Sequence, residues 1–353
     1  MTRIRLRPTP SAQSVPGSHH LRRSLLVGLL AVAAIAPAAV AQESEVIESP
    51  VPGAVAAPVY PVTFIDDEGT TVVIPAFPER LISLSPAITE SVFALGAGDR
   101  LVGGTDYDDF PAAAVELPDV ATFSGVLMEQ VVAQQPDLIL AAGNGFTPAD
   151  DIARLRELGF NVAVFYAETH EEVLGALRRL GVAIGASQEA YLLTDRIAAD
   201  LDRVADALTM VTTRPRTFYQ IGSEPEIYAP APGSFLADLI DLAGGDPIVT
   251  EDPAVYSISE ERILAADPEV IIVADAVWGV CPADVAARPG WGGLSAVVNG
   301  AVRPVDDTTI TRPGPRIAEG FAQLARAIHP DLAISGFRPD PVLCATAGTV
   351  RAG

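Results

Sequence analysis

Two stretches of sequence indicate the fold, MEQVVAQQPDLIL at residues 128–140 and EERILAADPEVII at residues 260–272. Each reads as a short helix, a proline and an apolar strand, and the second follows the first at an offset of 132 residues. Glu129 and Glu261 hold the same place in the two stretches. A match of this length in the same order indicates that one α/β unit is built twice along the chain.

The alternation of strands and helices extends outward from the first stretch. LISL at 81–84, LVGG at 101–104, DLILAA at 137–142 and NVAVFY at 161–166 are typical of buried strands, with helical segments between them. VTFIDDEGTTVVIP at 62–75 precedes them and predicts a hairpin around Glu68-Gly69. Because βα alternation implies a parallel sheet covered on both faces, we predict a first α/β lobe over residues 61–186.

The alternation starts again after residue 211. TFYQIG at 217–222 is followed by SFLADLIDLAGGD at 234–246, by the second repeat stretch, by AVRPV at 301–305 and by RIAEGFAQLARAIH at 316–329. This order predicts a second α/β lobe over residues 212–331.

Residues 187–211 lie between the lobes and have the period of a helix. Leu193, Ile197, Leu201, Val204 and Leu208 fall on one face. A helix of this length spans roughly 35 Å, enough to run from one lobe to the other. We therefore predict an α/β fold of two Rossmann-like lobes with parallel sheets, joined by one long α-helix, with a ligand cleft between the lobes.

The two ends of the chain predict segments outside this fold. Arg22 and Arg23 precede an apolar run and the small residues at 39–41, the pattern of a secretory signal cleaved near Ala41. The apolar run is shorter than the roughly 20 residues of a membrane span, which favours cleavage over a retained anchor. Residues 42–60 are predicted to be a linker and residues 332–353 a tail, so the mature protein is expected to be periplasmic or otherwise extracytoplasmic.

The net charge indicates which partners are excluded, and the cysteines indicate a disulfide. The formal net charge is −22, and it becomes about −27 without the five arginines of residues 1–41. Such an acidic protein is not expected to bind nucleic acid, whose phosphates require a basic surface. Cys281 and Cys344 are the two cysteines, and in an exported protein we expect them to form a disulfide.

Motifs of catalysis are absent from the sequence. His170 and His329, the histidines beyond residue 41, lie at predicted helix ends, and there is no nucleophile elbow, phosphate loop or zinc-protease motif. We therefore predict no catalytic residues, no metal site and no intrinsic cofactor. The alternative from another functional class is an exported enzyme or sensor on the same scaffold.

Aromatic and polar residues recur in the segments that follow or flank the predicted strands. The candidates for ligand binding are Tyr107, Phe123, Asn144, Tyr228, Tyr256, Trp278 and Arg312, with Phe146 beside Asn144. Aromatic side chains suit a large, flat ligand, and a guanidinium can hold a phosphate or carboxylate in a bidentate way. Pairing of Arg312 with Asp306 or Asp307 is the structural alternative for that arginine.

Three segments carry a resemblance to a known family. PERLISLSPAITESVFALGAGDRLVG, the LPDV segment with its following ME and VAQQPDLILA, and RPGPRIAEGFAQLARAIHP resemble the helical-backbone substrate-binding proteins of ABC importers for cobalamin, haem and ferric siderophores. The resemblance covers about residues 60–331. It implies a ligand between the lobes of a monomer, and a glutamate on each lobe, here Glu129 and Glu261, that docks on the permease dimer of the transporter with its ATPase subunits.

The resemblance is strongest to the cobalamin-binding members, in which aromatic residues flank the corrin. Carried over, those positions are Tyr107, Phe123 and Tyr256, with Arg312 as the polar residue. Two positions that are usually tryptophan in those members are Phe123 and Tyr256 here. The resemblance therefore implies a corrinoid first, with a ferric siderophore or haem as the alternatives.

Overall fold

The computed structural model describes residues 59–143, 145–340 and 343–344. The predicted signal peptide, most of the linker, Asn144 and half of the tail lie outside these residues. In the described ranges, no helix combines the length and the hydropathy that a membrane span requires.

The fold begins with the predicted hairpin, in which β1 (Val62–Ile65) pairs antiparallel with β2 (Thr71–Ile74). The Asp66 carboxylate accepts hydrogen bonds from the backbone N–H groups of Glu68 at 3.1 Å and Thr70 at 2.8 Å. Gly69 has a φ of +77°, a conformation that glycine adopts without strain. Turn chemistry of this kind is what the DDEG segment supplies.

The first lobe is built on a six-stranded sheet. Its elements are β3 (Leu81–Ser83), α1 (Pro86–Ala94), β4 (Leu101–Thr105), β5 (Asp119–Thr122), β6 (Gly125–Val126), α2 (Met128–Gln134), β7 (Leu138–Ala142), α3 (Ala149–Glu157), β8 (Val162–Phe165) and α4 (His170–Ala183). The strand order is β6-β5-β4-β3-β7-β8, parallel except for β6. Every residue of β3, β7 and β8 is buried, because helices cover both faces of the sheet.

The long helix α5 (Ser187–Leu208) connects the lobes, and its 22 residues span roughly 33 Å. It ends three residues before the predicted boundary. Leu193 and Ile197 pack in the core of the first lobe, and Val204 packs in the core of the second. The apolar face of α5 therefore packs in the core of the first lobe along its first part and in the core of the second lobe near its end.

The second lobe has a four-stranded parallel sheet in the order β10-β9-β11-β12. Its elements are β9 (Arg216–Gln220), α6 (Phe235–Leu242), β10 (Asp246–Pro247), α7 (Glu260–Ala266), β11 (Val270–Val273), α8 (Pro282–Ala286), α9 (Ser295–Val298), β12 (Val302–Pro304), α10 (Asp307–Ile310) and α11 (Ile317–Ile328).

The last helix also contacts both cores. Ile317 and Ala318 at the start of α11 pack in the core of the first lobe, whereas Leu324 near its end packs in the core of the second. Gly320 allows α11 to lie against α10, because a Cβ at this position would stand 2.0 Å from the carbonyl oxygen of Thr309. Two helices, α5 and α11, therefore tie the lobes together.

The predicted disulfide is present between Cys281 and Cys344, whose Cα atoms are 5.6 Å apart. Cys281 is the N-cap residue of α8, and Leu343 and Cys344 pack against the core cluster that contains Val285 and Trp291. The bridge fastens the end of the described chain to the second lobe.

Candidate ligand-binding cleft

A cavity of about 520 Å³ lies between the two lobes. The first lobe supplies most of its wall, from segments that follow β3, β4, β5, β7 and β8 and from α4; the second lobe supplies Tyr256, Asp307, Thr311, Arg312 and Pro313. The wall is thus built mainly at the carboxyl ends of parallel strands, where open α/β sheets place their ligands.

Three aromatic rings of the first lobe form one surface of the cavity. The rings of Tyr107 and Phe123 are stacked, with centroids 4.3 Å apart and an interplanar angle of 21°. Phe146 lies at 6.1 Å from Tyr107, tilted by 56°. Phe123 is 80% exposed, so its ring is available to a further planar partner. Offset stacking of a flat ligand on such a ring is favourable beyond the apolar area that it buries.

Tyr107 is held neutral by its surroundings. Burial, with the nearby carboxylates of Asp108 and Asp106 as smaller causes, raises the pKa of the Tyr107 phenol to about 12. Asp108 is itself buried and accepts hydrogen bonds from Thr89 Oγ1 at 2.8 Å and from the backbone N–H of Thr105 at 3.0 Å. Burial also raises the pKa of Asp108. Tyr107 therefore offers a ring face and an O–H donor to a ligand.

Arg312 lines the cavity from the second lobe, and its ion-pair partners belong to the first lobe. Its Nη1 donates to Glu90 Oε1 at 2.8 Å and to Asp109 Oδ1, and its Nη2 donates to Asp109 Oδ2 at 3.1 Å. The structural alternative from the sequence, an ion pair with Asp306 or Asp307, is wrong for this reason. The guanidinium reaches across the cleft instead of turning back to its own segment.

Glu90 is shared by two arginines. Arg316 donates from Nε to Glu90 Oε2 at 2.7 Å and from Nη2 to Oε1 at 2.6 Å, while its guanidinium lies 4.3 Å from the ring centroid of Phe110. The Glu90 side chain is 1% exposed. Sequence reasoning missed Glu90, although a carboxylate inside the apolar helix AITESVFA is a signal that a cation must lie nearby.

Asp307 contributes a partly buried carboxylate to the wall. It accepts hydrogen bonds from the Tyr219 hydroxyl at 2.7 Å and from Thr311 Oγ1 at 2.9 Å. Burial raises the pKa of Asp307, and burial together with Asp307 raises the pKa of the Tyr219 phenol. Asp307 therefore makes this part of the cavity wall polar, and its carboxylate already accepts hydrogen bonds from two groups of the protein.

The structure brings four of the predicted ligand-binding residues together and leaves two others apart. Tyr107, Phe123, Tyr256 and Arg312 line the cavity. Tyr228 instead forms backbone bridges with Gly222 and Ser257, and Trp278 is 83% exposed; neither belongs to the wall. Asn144 lies outside the described residues. Ligand contacts of Tyr228 and Trp278 stay predictions.

Glu129 and Glu261 lie at equivalent places on the two lobes. Each is exposed in the first turn of its helix, α2 or α7, and neither forms a hydrogen bond or ion pair within the described ranges. Both helices end at a non-glycine residue in the left-handed region, Gln135 with φ of 48° and Asp267 with φ of 43°. The repeat in sequence is therefore a repeat in backbone conformation, and it presents two free carboxylates.

The sequence profile of the periplasmic binding protein family matches residues 81–309. The chain belongs to the periplasmic binding protein family. Among its relatives, an uncharacterized ABC transporter substrate-binding lipoprotein of Bacillus subtilis is 30% identical over 277 residues, which are 77% of this chain and 87% of the relative. A vitamin B12-binding protein of Vibrio cholerae is 31% identical over 258 residues, or 70% of this chain and 87% of the relative.

Solved structures of other binding proteins share the fold. The periplasmic vitamin B12 binding protein BtuF of Vibrio cholerae superposes with a TM-score of 0.65 at 28% identity, covering 72% of this chain and 98% of that one. The haem-binding protein BhuT superposes with the same TM-score of 0.65 at 24% identity, covering 72% and 99%. These comparisons confirm the predicted fold class and the stated resemblance. This periplasmic binding protein is a solute-binding protein and not an enzyme.

Proposed function

We propose that this protein is the extracytoplasmic receptor of an ABC importer and that it captures a corrinoid in the cleft between its lobes. The observation that carries the proposal is the aromatic surface of Tyr107, Phe123 and Phe146 opposite the polar segment that bears Arg312. A stacked ring surface on one side and hydrogen-bond donors on the other match a flat macrocycle with a polar rim.

Two relatives bear on the choice of ligand. The Vibrio cholerae relative at 31% identity is named a vitamin B12-binding protein, and a Halobacterium salinarum relative at 30% identity is named a cobalamin-binding protein. The haem-binding structure is below 25% identity and supports the fold alone. The names of these two relatives support a corrinoid as the proposed ligand, with haem or a ferric siderophore as the alternative.

Delivery to a transporter is part of the same proposal. In this proposal the signal at residues 1–41 directs export, and the disulfide between Cys281 and Cys344 is consistent with an oxidising compartment. Glu129 and Glu261 then dock on the two halves of a permease dimer that works with ATPase subunits. A two-fold partner requires two equivalent contacts, and the repeat provides one carboxylate on each lobe.

Ligand capture can be tested directly on the purified protein, residues 42–353. It is incubated separately with cyanocobalamin, haemin and a ferric hydroxamate siderophore, desalted, and its visible spectrum recorded. Retention of the corrinoid spectrum at one equivalent is the expected result. Retention of haemin or of the siderophore, with no corrinoid, would replace the proposed ligand and keep the receptor function.

The stacking role can be tested with one variant and a matched control. Phe123→Ala is expected to weaken corrinoid binding about twofold to tenfold, because an aromatic stacking contact contributes about 0.5–1.5 kcal/mol. Tyr191→Ala removes another partly exposed ring, on α5 and away from the cavity wall, and should leave the Kd unchanged. Equal effects of the two variants in calorimetry would contradict the assigned surface.

A further inference from the structure

Arg312 is in the cavity wall, but its positive charge is already matched. Arg312 and Arg316 from the second lobe face Glu90 and Asp109 from the first, so two guanidinium groups meet two carboxylates. Asp307 adds a further carboxylate to the same wall. Among the described residues that line the cavity, Arg312 is the one with a guanidinium or ammonium group. The cavity therefore offers no surplus of positive charge to an anionic ligand.

The guanidinium keeps hydrogen-bond donors even though its charge is matched. Arginine has five N–H donors. Nη1 of Arg312 donates to Glu90 and Asp109, and Nη2 donates once, to Asp109. Nε and the second hydrogen of Nη2 have no acceptor within the described part of the chain. Donors of this kind suit the neutral carbonyl oxygen of an amide.

The two acidic partners of Arg312 differ in accessibility. The Glu90 side chain is 1% exposed and is also held by Arg316, whereas the Asp109 side chain is 52% exposed. Asp109 contacts both terminal nitrogens of Arg312, which is the edge that a bidentate carboxylate would take. A carboxylate on a ligand would therefore compete with Asp109 and would be repelled by it.

We propose that Asp109 is a specificity-determining residue that occupies the carboxylate position on Arg312, so that the cleft accepts planar ligands with amide side chains and discriminates against those with carboxylates. The inference rests on the proposed function, because it assumes that a planar macrocycle binds in this cleft. It adds Asp109 to the residues that determine binding. It also states which planar ligands the cleft rejects, namely those with carboxylates.

The test compares two corrins that differ in their side chains. Dicyanocobinamide carries amides, and dicyanocobyrinic acid carries carboxylates on the same ring. Dissociation constants of both are measured for the wild type, for Asp109→Asn and for Asp106→Asn. Asp106 is a matched control because it is an exposed acid of the same segment, its loss changes the net charge equally, and it does not contact Arg312.

We expect the wild type to bind the amide corrin at least tenfold more tightly than the carboxylate corrin. Asp109→Asn should tighten binding of the carboxylate corrin about fivefold to tenfold and change binding of the amide corrin less than twofold. Asp106→Asn should leave the ratio of the two constants as in the wild type. Equal binding of both corrins by the wild type, or equal effects of the two variants, would overturn the proposal.

A second ligand pair separates this inference from the proposed function. If neither corrin binds, the corrinoid assignment has failed, and the same variants are then tested with haemin and its dimethyl ester, which differ in carboxylate charge. A preference for the ester that Asp109→Asn removes would support the role of Asp109 with a different macrocycle. Absence of that preference, or of binding to either haem compound, would overturn it.

Discussion

The two lobes resemble each other in the repeat and differ where they face the cavity between them. In the first lobe the Arg80 side chain donates from Nε to the carbonyl oxygen of Gln134 at 3.1 Å, at the end of α2. In the second lobe the Arg216 side chain donates from Nε to the carbonyl oxygen of Ala266 at 3.0 Å, at the end of α7. Both arginines satisfy helix carbonyls that have no partner within the helix.

The acid directly before the next strand accepts a hydrogen bond from the backbone of the same arginine. The Asp137 carboxylate accepts from the backbone N–H of Arg80 at 2.9 Å, and the Glu269 carboxylate accepts from that of Arg216 at 3.1 Å. The acid after the proline in each repeat is therefore a structural residue. These hydrogen bonds account for an acid at this position of each repeat.

The cleft surfaces show no such repetition. The first lobe contributes stacked aromatic rings, whereas the second contributes a polar segment that carries Arg312, which pairs with Glu90 and Asp109 of the first lobe. The framework of each lobe depends on backbone hydrogen bonds that a duplicated unit keeps, whereas the loops at the strand ends are free to diverge. The repeated scaffold places Glu129 and Glu261 equivalently, as the proposed docking requires, whereas the divergent loops form the wall of the cavity.

The largest effect on stability is expected at the contact between the lobes, where two arginines of the second lobe share a glutamate of the first. Glu90→Ala leaves the partly buried Arg312 and Arg316 without their shared carboxylate, and it should lower the free energy of unfolding by about 3–5 kcal/mol. Denaturant unfolding followed by circular dichroism measures the change. Glu116→Ala removes an exposed glutamate of the same lobe and should stay within about 0.5 kcal/mol of the wild type. A loss below about 1 kcal/mol for Glu90→Ala would show that the cluster does not hold the lobes.

The disulfide distinguishes the second lobe from the first and should have the next largest effect. The bridge joins residues separated by 63 positions, and replacing both cysteines with serine should cost about 2–4 kcal/mol. Dithiothreitol should destabilise the wild type to a similar extent and leave the double variant unchanged. A wild type that is insensitive to the reductant, with no bridged peptide in non-reducing mass spectrometry, would contradict this prediction.

Alkaline titration tests the burial of Tyr107 in the first lobe. Its pKa is raised from 10 to about 12, because the folded state stabilises the neutral phenol relative to the phenolate. That stabilisation is complete below pH 10 and is lost as the pH rises through about 12. The difference in absorbance at about 295 nm between wild type and Tyr107→Phe should show one phenol that titrates near pH 12.

Tyr256→Phe is the control from the second lobe for this titration. In that variant the transition near pH 12 should remain. A difference spectrum between wild type and Tyr107→Phe with its midpoint near pH 10 would mean that the phenol is solvated, and the argument that it is held neutral in the cleft would fail.

The smallest effect on the isolated protein is expected at the repeated glutamates. Glu129→Ala and Glu261→Ala should each change stability by less than about 0.5 kcal/mol, since neither carboxylate has a partner in the described residues, and ligand affinity should not change. Ligand uptake by cells that carry the transporter should nevertheless fall. Glu260→Ala alters the neighbouring acid of α7 and should leave uptake intact. A loss of affinity in the isolated Glu129→Ala or Glu261→Ala protein would place these residues in ligand binding instead.

Much of the architecture could be predicted because it depends on local patterns. The βα alternation, the hairpin at Gly69, the long helix between the lobes and the repeat are all encoded in residues that lie near each other along the chain. Of the cleft residues, the aromatic positions after β4 and β5 could be predicted from the rule that ligands meet strand ends.

The partners of Arg312 could not be predicted in this way. Glu90 lies 222 positions before Arg312, and the sequence indicates neither that α1 turns its carboxylate toward the cleft nor that Asp109 lies beside it. The same limit applies to Trp278, because the path of the segment after β11 depends on how it packs on the second lobe. Contacts between lobes are set by packing, which short-range patterns do not specify.

The sequence by itself determined the two lobes, the helix that joins them, the equivalent glutamates and the pair of cysteines, because periodicity, turn residues and the repeat are local properties of the chain. The tertiary structure alone decided which side chains share the cavity and what charge it carries. Burial of Glu90 between two arginines and the contact of Asp109 with Arg312 exist only after the lobes have packed. Electrostatic interactions of this kind depend on distance and solvent exposure, and both are set when the fold is complete.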